Sequence, residues 1–225
     1  MIVLAIDTSA SLCAACVRDL DTGELGRAVR DLGKGHAEHL MGIIEEALAA
    51  AGLGYVDVDR IGVSVGPGSF TGIRVGVATA RGLALALKVP SVGVTTLDAL
   101  AAETRSRYPD RPVLAALDAR REQLYVARYE PGGTRVDGPS ITTLAEAVAE
   151  IGVSDVVLAG SAAGMIAEAA GRRFDIAAEG ATADIAVYAR LAAEHEPPLD
   201  APRPLYLRSA DARPQEGFAV ARKPA

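Results

Sequence analysis

Val65-Gly66-Pro67-Gly68-Ser69-Phe70-Thr71-Gly72-Ile73-Arg74 takes an apolar strand through a glycine-rich turn into an apolar helix, and its reading decides the fold. Upstream, residues 61–65 have the pattern of a buried strand; downstream, residues 73–87 predict a helix stopped by Pro90. Ser69 or Thr71 can cap that helix, and Gly66 and Gly68 supply the backbone freedom of a sharp strand-to-helix turn. Such a turn at a helix N-terminus can hold an anion, although the turn alone also explains the glycines. A Walker A loop is excluded, because five residues separate Gly66 from Gly72 and Ile73 stands where lysine is required. The dinucleotide fingerprint fits poorly: Gly66, Gly68 and Gly72 are spaced one residue too widely, and no acidic residue follows until Asp98.

The helix says more than the loop. Only Arg74, Thr79 and Arg81 interrupt small or apolar residues over 73–87, so it needs cover on more than one side. Gly76 and Gly82 each cost roughly 1 kcal/mol relative to alanine, a loss that fits close approach of a partner backbone. A central helix covered only by its own domain is the plainer alternative. A second helix, 36–51, carries the stripe Ala37, Leu40, Met41, Ile44, Ala47, Leu48 and Ala51 and is closed by Gly52. Beside that stripe, His39, Gly42, Ile43 and Glu46 form a mixed face.

With 225 residues, half of them apolar, the chain can build one large or two small domains. A net charge of −6 argues against this chain alone holding a nucleic-acid backbone. The absence of a basic leader and of a run of 18 apolar residues predicts a cytoplasmic protein with no membrane association. Cys13 and Cys16 have redox spacing, and with His36 and His39 they supply zinc-ligand types. They fall on a predicted strand, 12–17, where residues three apart point to opposite faces, so two buried structural cysteines are expected.

Taken in order, a strand at 2–6, the turn Asp7-Thr8-Ser9, the returning strand 12–17 and a third strand ending near Val29 precede the first helix. A strand at 91–94 and a helix from 97 to about 107 follow the second. Tyr108-Pro109-Asp110-Arg111-Pro112 breaks the chain, and the opening pattern then returns as strand 113–117, turn Asp118-Ala119-Arg120 and strand 123–129. After the turn at Pro131-Gly132-Gly133 come a helix at 144–151, a strand at 155–159 and helices at 162–170 and 183–194. The fold class is therefore a duplicated α/β plan with a cleft between halves: domains at 1–107 and 108–200, and a proline-rich extended tail at 201–225 whose end is expected to be disordered.

Two copies of strand, aspartate, turn and strand resemble the phosphate hairpins of the actin, sugar kinase and Hsp70 (ASKHA) superfamily. More specifically, six stretches are similar in order to the TsaB (YeaZ) family: Ala5-Ile6-Asp7-Thr8-Ser9, His36-Ala37-Glu38-His39-Leu40, the 66–74 loop, Gly93-Val94-Thr95-Thr96-Leu97, Leu117-Asp118-Ala119-Arg120 and Pro204-Leu205-Tyr206-Leu207-Arg208. The resemblance implies a noncatalytic subunit of the machinery that adds threonylcarbamoyl to N6 of adenosine (t6A) in tRNAs reading codons that begin with A. Its partners would be the TsaD-like catalytic paralogue and a TsaE-like ATPase, with tRNA reached only through the complex and a homodimer formed when the chain is alone. The implied docking face uses two helices from each partner and would here take His39, Gly42, Ile43, Glu46, Gly72, Gly76, Thr79 and Leu83. Asp7, Thr8, Ser9 and Asp118 would be vestigial phosphate hairpins flanking the cleft. Where the catalytic paralogue carries a metal-binding histidine pair this chain has Thr96 and Leu100, and Gly160-Ser161-Ala162-Ala163-Gly164 is thin for a nucleotide loop, so no metal, cofactor or catalytic residue is expected. The alternative is a stand-alone ASKHA-type small-molecule kinase or a peptidase working from its own cleft.

Overall fold

The computed structural model describes residues 1–23 and 25–208. Largely apolar runs at 2–6, 61–65 and 113–117 form the central strands, as expected where both sheet faces are covered. Ile2–Asp7 (β1) pairs antiparallel with Leu12–Asp19 (β2), which pairs antiparallel with Leu25–Asp31 (β3). The helix His36–Ala50 (α1) follows, and Arg60–Gly66 (β4) then lies parallel to β1 and feeds the helix Phe70–Leu87 (α2). Ser91–Thr95 (β5) closes a sheet of order β3-β2-β1-β4-β5.

After the helix Thr96–Arg105 (α3), the plan repeats with Val113–Asp118 (β6), Gln123–Tyr129 (β7), Arg135–Thr143 (β8), Leu144–Ile151 (α4), Val157–Ala159 (β9), Ala163–Ala169 (α5) and Ile176–Ala178 (β10). The second sheet runs β10-β9-β6-β7-β8, so each strand takes the place of its counterpart in the first half. The repeat extends to hydrogen bonds. Asp7 Oδ1 accepts from Ser9 N at 2.9 Å, and Asp118 Oδ1 accepts from Arg120 N at 2.7 Å, the same aspartate turn in both halves. The duplicated ASKHA-like α/β fold expected from the sequence is the fold observed.

The last helix, Ile185–Glu194 (α6), departs from the sequence boundaries: drawn with residues 108–200, it packs instead on β1, β2 and β4 of the first sheet. Arg60 Nη1 fixes its end by donating to the carbonyls of Ala192, Ala193 and His195, each at 2.9 Å, a cation meeting the negative end of a helix. Together α3 and α6 form a middle layer between the sheets, and the core there joins Val3, Ala5, Val94, Leu97, Leu117 and Tyr188. On the outer faces, α1 and α2 cover the first sheet and α4 and α5 cover the second. Residues 201–208 run without regular structure, Leu205 N donating to Val65 O at 2.8 Å in the first half and Arg208 donating to Gln123 of the second; the tail from 209 onward lies outside the described residues.

How α2 sits is decided by three glycines spaced a helical turn apart. A Cβ at Gly68 would lie 2.2 Å from Ser9 O, at Gly72 2.0 Å from Thr8 O, and at Gly76 2.5 Å from Thr8 Oγ1. The close approach inferred from Gly76 is therefore real, but it is made to the β1–β2 turn of the same chain rather than to a partner. On α1 the phase also differs from the sequence reading. Leu40, Ile43, Ile44, Ala47 and Leu48 are buried, while Ala37 and Met41 face outward. By length and composition α2 could cross a membrane, a possibility the search for apolar runs did not raise; here its inner side lies on β4 and Arg74 and Arg81 point outward.

Two glycine substitutions separate these environments. Gly76→Leu should lower stability by about 1–3 kcal/mol, because the added side chain meets Thr8 at once. Gly42→Ala should raise it by roughly 0.5–1 kcal/mol, since a Cβ there meets nothing within 4 Å. Denaturant unfolding of both variants checks the pair, and an undisturbed Gly76→Leu protein would contradict the seat described for α2.

Candidate functional site

Because α2 is largely apolar, burying its inner side leaves small and apolar residues exposed on its outer side, together with Thr71 and Arg74. Thr71, Arg74, Ala78, Gly82 and Leu85, at helical spacing, are all exposed, Leu85 by 83%. On α1 the matching outer stripe is Glu38, Met41, Gly42, Glu45 and Ala49. Within α1 and α2, Gly42 and Gly82 are open to an outside backbone, as a Cβ at either meets nothing within 4 Å. The stripes differ in charge, with glutamates on α1 and Arg74 and Arg81 on or beside that of α2. Arg74 is held in place: its guanidinium lies 3.7 Å from the Phe70 ring centre, and its Nε donates to Tyr206 Oη at 2.7 Å.

Of the residues singled out from sequence, His39, Gly42 and Glu46 are exposed on α1, with Glu46 bound in two-pronged fashion by Arg30 at 2.9 and 2.7 Å. Thr79 and Leu83 are half-buried. Ile43 points into the core, and Gly72 and Gly76 are covered by Thr8, so these three do not belong to an outer face. Met41, Gly82 and Leu85 take their place. For Gly82 and Leu85 the signal that could have found them was the four-residue spacing of Gly68, Gly72 and Gly76, which marks the inner side of α2; Met41, on α1, carried no such signal.

Between the two halves lies a cavity of about 500 Å³ lined by Ser9, Gly68, Ser69, Asp118, Arg120 and Ser161 among others. The paired aspartates do not both face it. Asp7 lines a separate cavity of about 370 Å³ with Arg27, Glu103 and Thr182, and its Oδ2 accepts from Thr182 Oγ1 at 2.6 Å. Burial raises the Glu103 carboxyl in that cavity above its ordinary pKa. The other hairpin groups are occupied within the chain. Thr8 Oγ1 donates to Gly72 O at 2.7 Å, Ser9 O accepts from Ser69 N at 2.7 Å, and Ser161 Oγ accepts from Asp118 N at 3.1 Å. Thr96 and Leu100, at the positions compared with the histidine pair, are fully buried on α3. Among the described residues no three His, Cys, Asp or Glu side chains gather to hold a metal.

The cysteines lie on β2 as expected, both buried and free, Cys13 in the outer core of the first sheet and Cys16 in the middle layer. Burial pushes the Cys13 thiol up to about 11 and the Cys16 thiol up to about 12. Neither is the low-pKa thiolate that redox chemistry uses.

Residues 30–197 match the family model described as TsaD: tRNA N6-adenosine threonylcarbamoyltransferase. The chain is 40% identical over 145 residues to an uncharacterized protein of Mycobacterium tuberculosis, a match covering 64% of this chain and 66% of that protein. It is 32% identical over 130 residues to the tRNA threonylcarbamoyladenosine biosynthesis protein TsaB of Escherichia coli, covering 58% of this chain and 55% of that one. The chain thus spans less than two thirds of the length of either relative. A crystal structure of an uncharacterized protein with similarity to peptidase YEAZ from Pseudomonas aeruginosa covers 92% of this chain and 99% of its own, with a TM-score of 0.78 and 27% identity.

The raised thiols make a pH prediction. An unfolded thiol ionises near its ordinary value of 9.0, whereas the folded ones hold their protons to about 11 and 12, so above pH 9 the unfolded state binds fewer protons and stability falls as pH rises toward 11. Below pH 9 the cysteines should contribute no pH dependence. At pH 8 a thiol-labelling reagent should react with neither cysteine until denaturant is added, and rapid labelling of the folded protein would contradict their placement.

Proposed function

Because the chain belongs to the TsaD family, and within it to the TsaB/YeaZ group, we propose that it is a noncatalytic subunit in the biosynthesis of threonylcarbamoyladenosine on tRNA, scaffolding and activating a TsaD-like catalytic subunit. The observation that carries this reading is the outer stripe of α2, where Leu85 stands 83% exposed beside an open Gly82, next to the stripe of α1 with Met41 and Gly42. An apolar helix pair in water gains by burial, and the small residues let another helix pair approach closely. The TsaD-like subunit supplies that pair, and in its absence a second copy of this chain does. A TsaE-like ATPase joins the assembly. Thr96 and Leu100 offer no imidazole, so the chemistry belongs to the partner. With a net charge of −6 the chain reaches tRNA only through the complex, in the cytoplasm and away from any membrane.

Leu85→Glu and Met41→Glu change only exposed side chains and should leave the unfolding midpoint where it is. Each should weaken binding of a labelled TsaD-like subunit by about tenfold or more, the loss expected when one buried leucine or methionine is replaced by a charge. The same variants should shift the isolated chain toward monomer in sedimentation. Wild-type binding by both folded variants would place the interface elsewhere.

A further inference from the structure

Helices α1 and α2 carry opposite charges at the same spacing. α1 holds three glutamates and no lysine or arginine, whereas α2 holds Arg74 and Arg81 and no acidic residue. Arg30 takes Glu46. That leaves Glu38 and Glu45 on one helix and Arg74 and Arg81 on the other, each pair seven residues apart and so about 10.5 Å apart along its axis. All four side chains are exposed, and among the described residues none of them has an ion-pair partner. Arg74 is also held in one pose, its Nε on Tyr206 Oη and its guanidinium against the Phe70 ring, with Nη1 and Nη2 left without an acceptor.

The strand directions fix how these charges are laid out. β3, β1, β4 and β5 all run one way, and α1 returns from β3 to β4 as α2 returns from β4 to β5, so the two helices run in the same direction. Their starts meet at one cavity, lined by His36 and Ala37 of α1 and by Thr71 and Gly72 of α2. Two face-to-face dyads are then open to a pair of copies. A dyad across the helices sets α1 on α1 and α2 on α2, so that glutamates meet glutamates and arginines meet arginines. A dyad along the helices sets α1 of each copy on α2 of the other, running parallel. Glu38 is the third residue of α1 and Arg74 the fifth of α2, and Glu45 and Arg81 keep the same offset, so one shift of about 3 Å brings both opposite-charge pairs into register. The same shift sets Gly42 opposite Ala78 and Ala49 opposite Leu85, small residues where the backbones must approach and a small residue beneath a large one.

We propose that a second copy of this chain seats on the helix pair about a dyad that runs along the helices, with Glu38 and Glu45 of each copy pairing with Arg74 and Arg81 of the other. The proposal rests on the reading of the outer stripes as the docking surface and adds the symmetry axis, the register and the residues that select them. By symmetry the two ion pairs become four. Each exposed pair contributes little by itself, but the other dyad places like charges together, so the four charges decide the arrangement more than they strengthen it.

Two double variants of the full chain test the arrangement: Arg74→Glu with Arg81→Glu, and Glu38→Arg with Glu45→Arg. Sedimentation equilibrium over a range of concentrations reads the association, and unfolding midpoints verify that both variants fold. Each double variant places like charges at all four contacts and should dimerise about tenfold or more weakly than the wild type. An equimolar mixture of the two restores opposite charges at every contact and should dimerise about as tightly as the wild type. A folded double variant that dimerises as well as the wild type, a mixture no tighter than its components, or a wild-type chain that stays monomeric overturns the proposal. Leu85→Glu separates this outcome from failure of the reading beneath it. If Leu85→Glu is monomeric while the charge variants dimerise normally, the stripe stands as a docking surface and the register is rejected; if Leu85→Glu dimerises normally, the stripe itself is rejected.

Discussion

The contact between the β1–β2 turn and the start of α2 is the constraint on which the remaining structure depends. Thr8 and Ser9 present carbonyl oxygens and a hydroxyl to a helix that can meet them only through Gly68, Gly72 and Gly76. Thr8 Oγ1 to Gly72 O and Ser69 N to Ser9 O then pin the two segments together. Any other residue at these glycines would lift the helix from the sheet. With the inner side determined, the outer side follows, because an apolar helix pressed down on one face must present the other to water or to a partner.

The same contact changes the meaning of the duplicated hairpins. Both halves keep the aspartate turn, from Asp7 to Ser9 and from Asp118 to Arg120, yet the polar groups of the first are occupied by α2 and by Thr182, and Asp7 faces a different cavity from Asp118. The hairpins act here as joints. In the first half the joint sets a helix pair, and in the second Ser161 ties β6 to the segment before α5. The α6 helix, donated across to the first sheet and clasped by Arg60, binds the halves through a shared middle layer.

Much of this was legible in the sequence where the signal is local. Apolar runs between turns located the principal strands, the repeat of strand, aspartate and turn disclosed the duplication, and Leu144–Ile151 begins as read because Thr143 and Glu146 form a capping box and ends as read at Gly152. What was not legible depends on tertiary phase. In α2 nearly every position is small or apolar, so periodicity cannot say which side is inner, and Gly76 and Gly82 look alike although one is buried against Thr8 and the other open. Ile43 and Met41 exchanged roles on α1 for the same reason: an apolar residue next to an apolar stripe can fall on either side of its edge. The short strands β9 and β10, three residues each, carry too little pattern to bound, and the place of α6 is a matter of packing across the chain.

The central claim, that the outer stripes of α1 and α2 are the working surface, is tested most directly by hydrogen exchange. The chain is compared alone at high dilution and bound to a TsaD-like catalytic subunit. The account predicts slowed exchange in peptides covering 38–49 and 71–86, with the cleft around Asp118 and Ser161 unchanged. Protection centred on that cleft, with both helices exchanging as they do in the free chain, would contradict it.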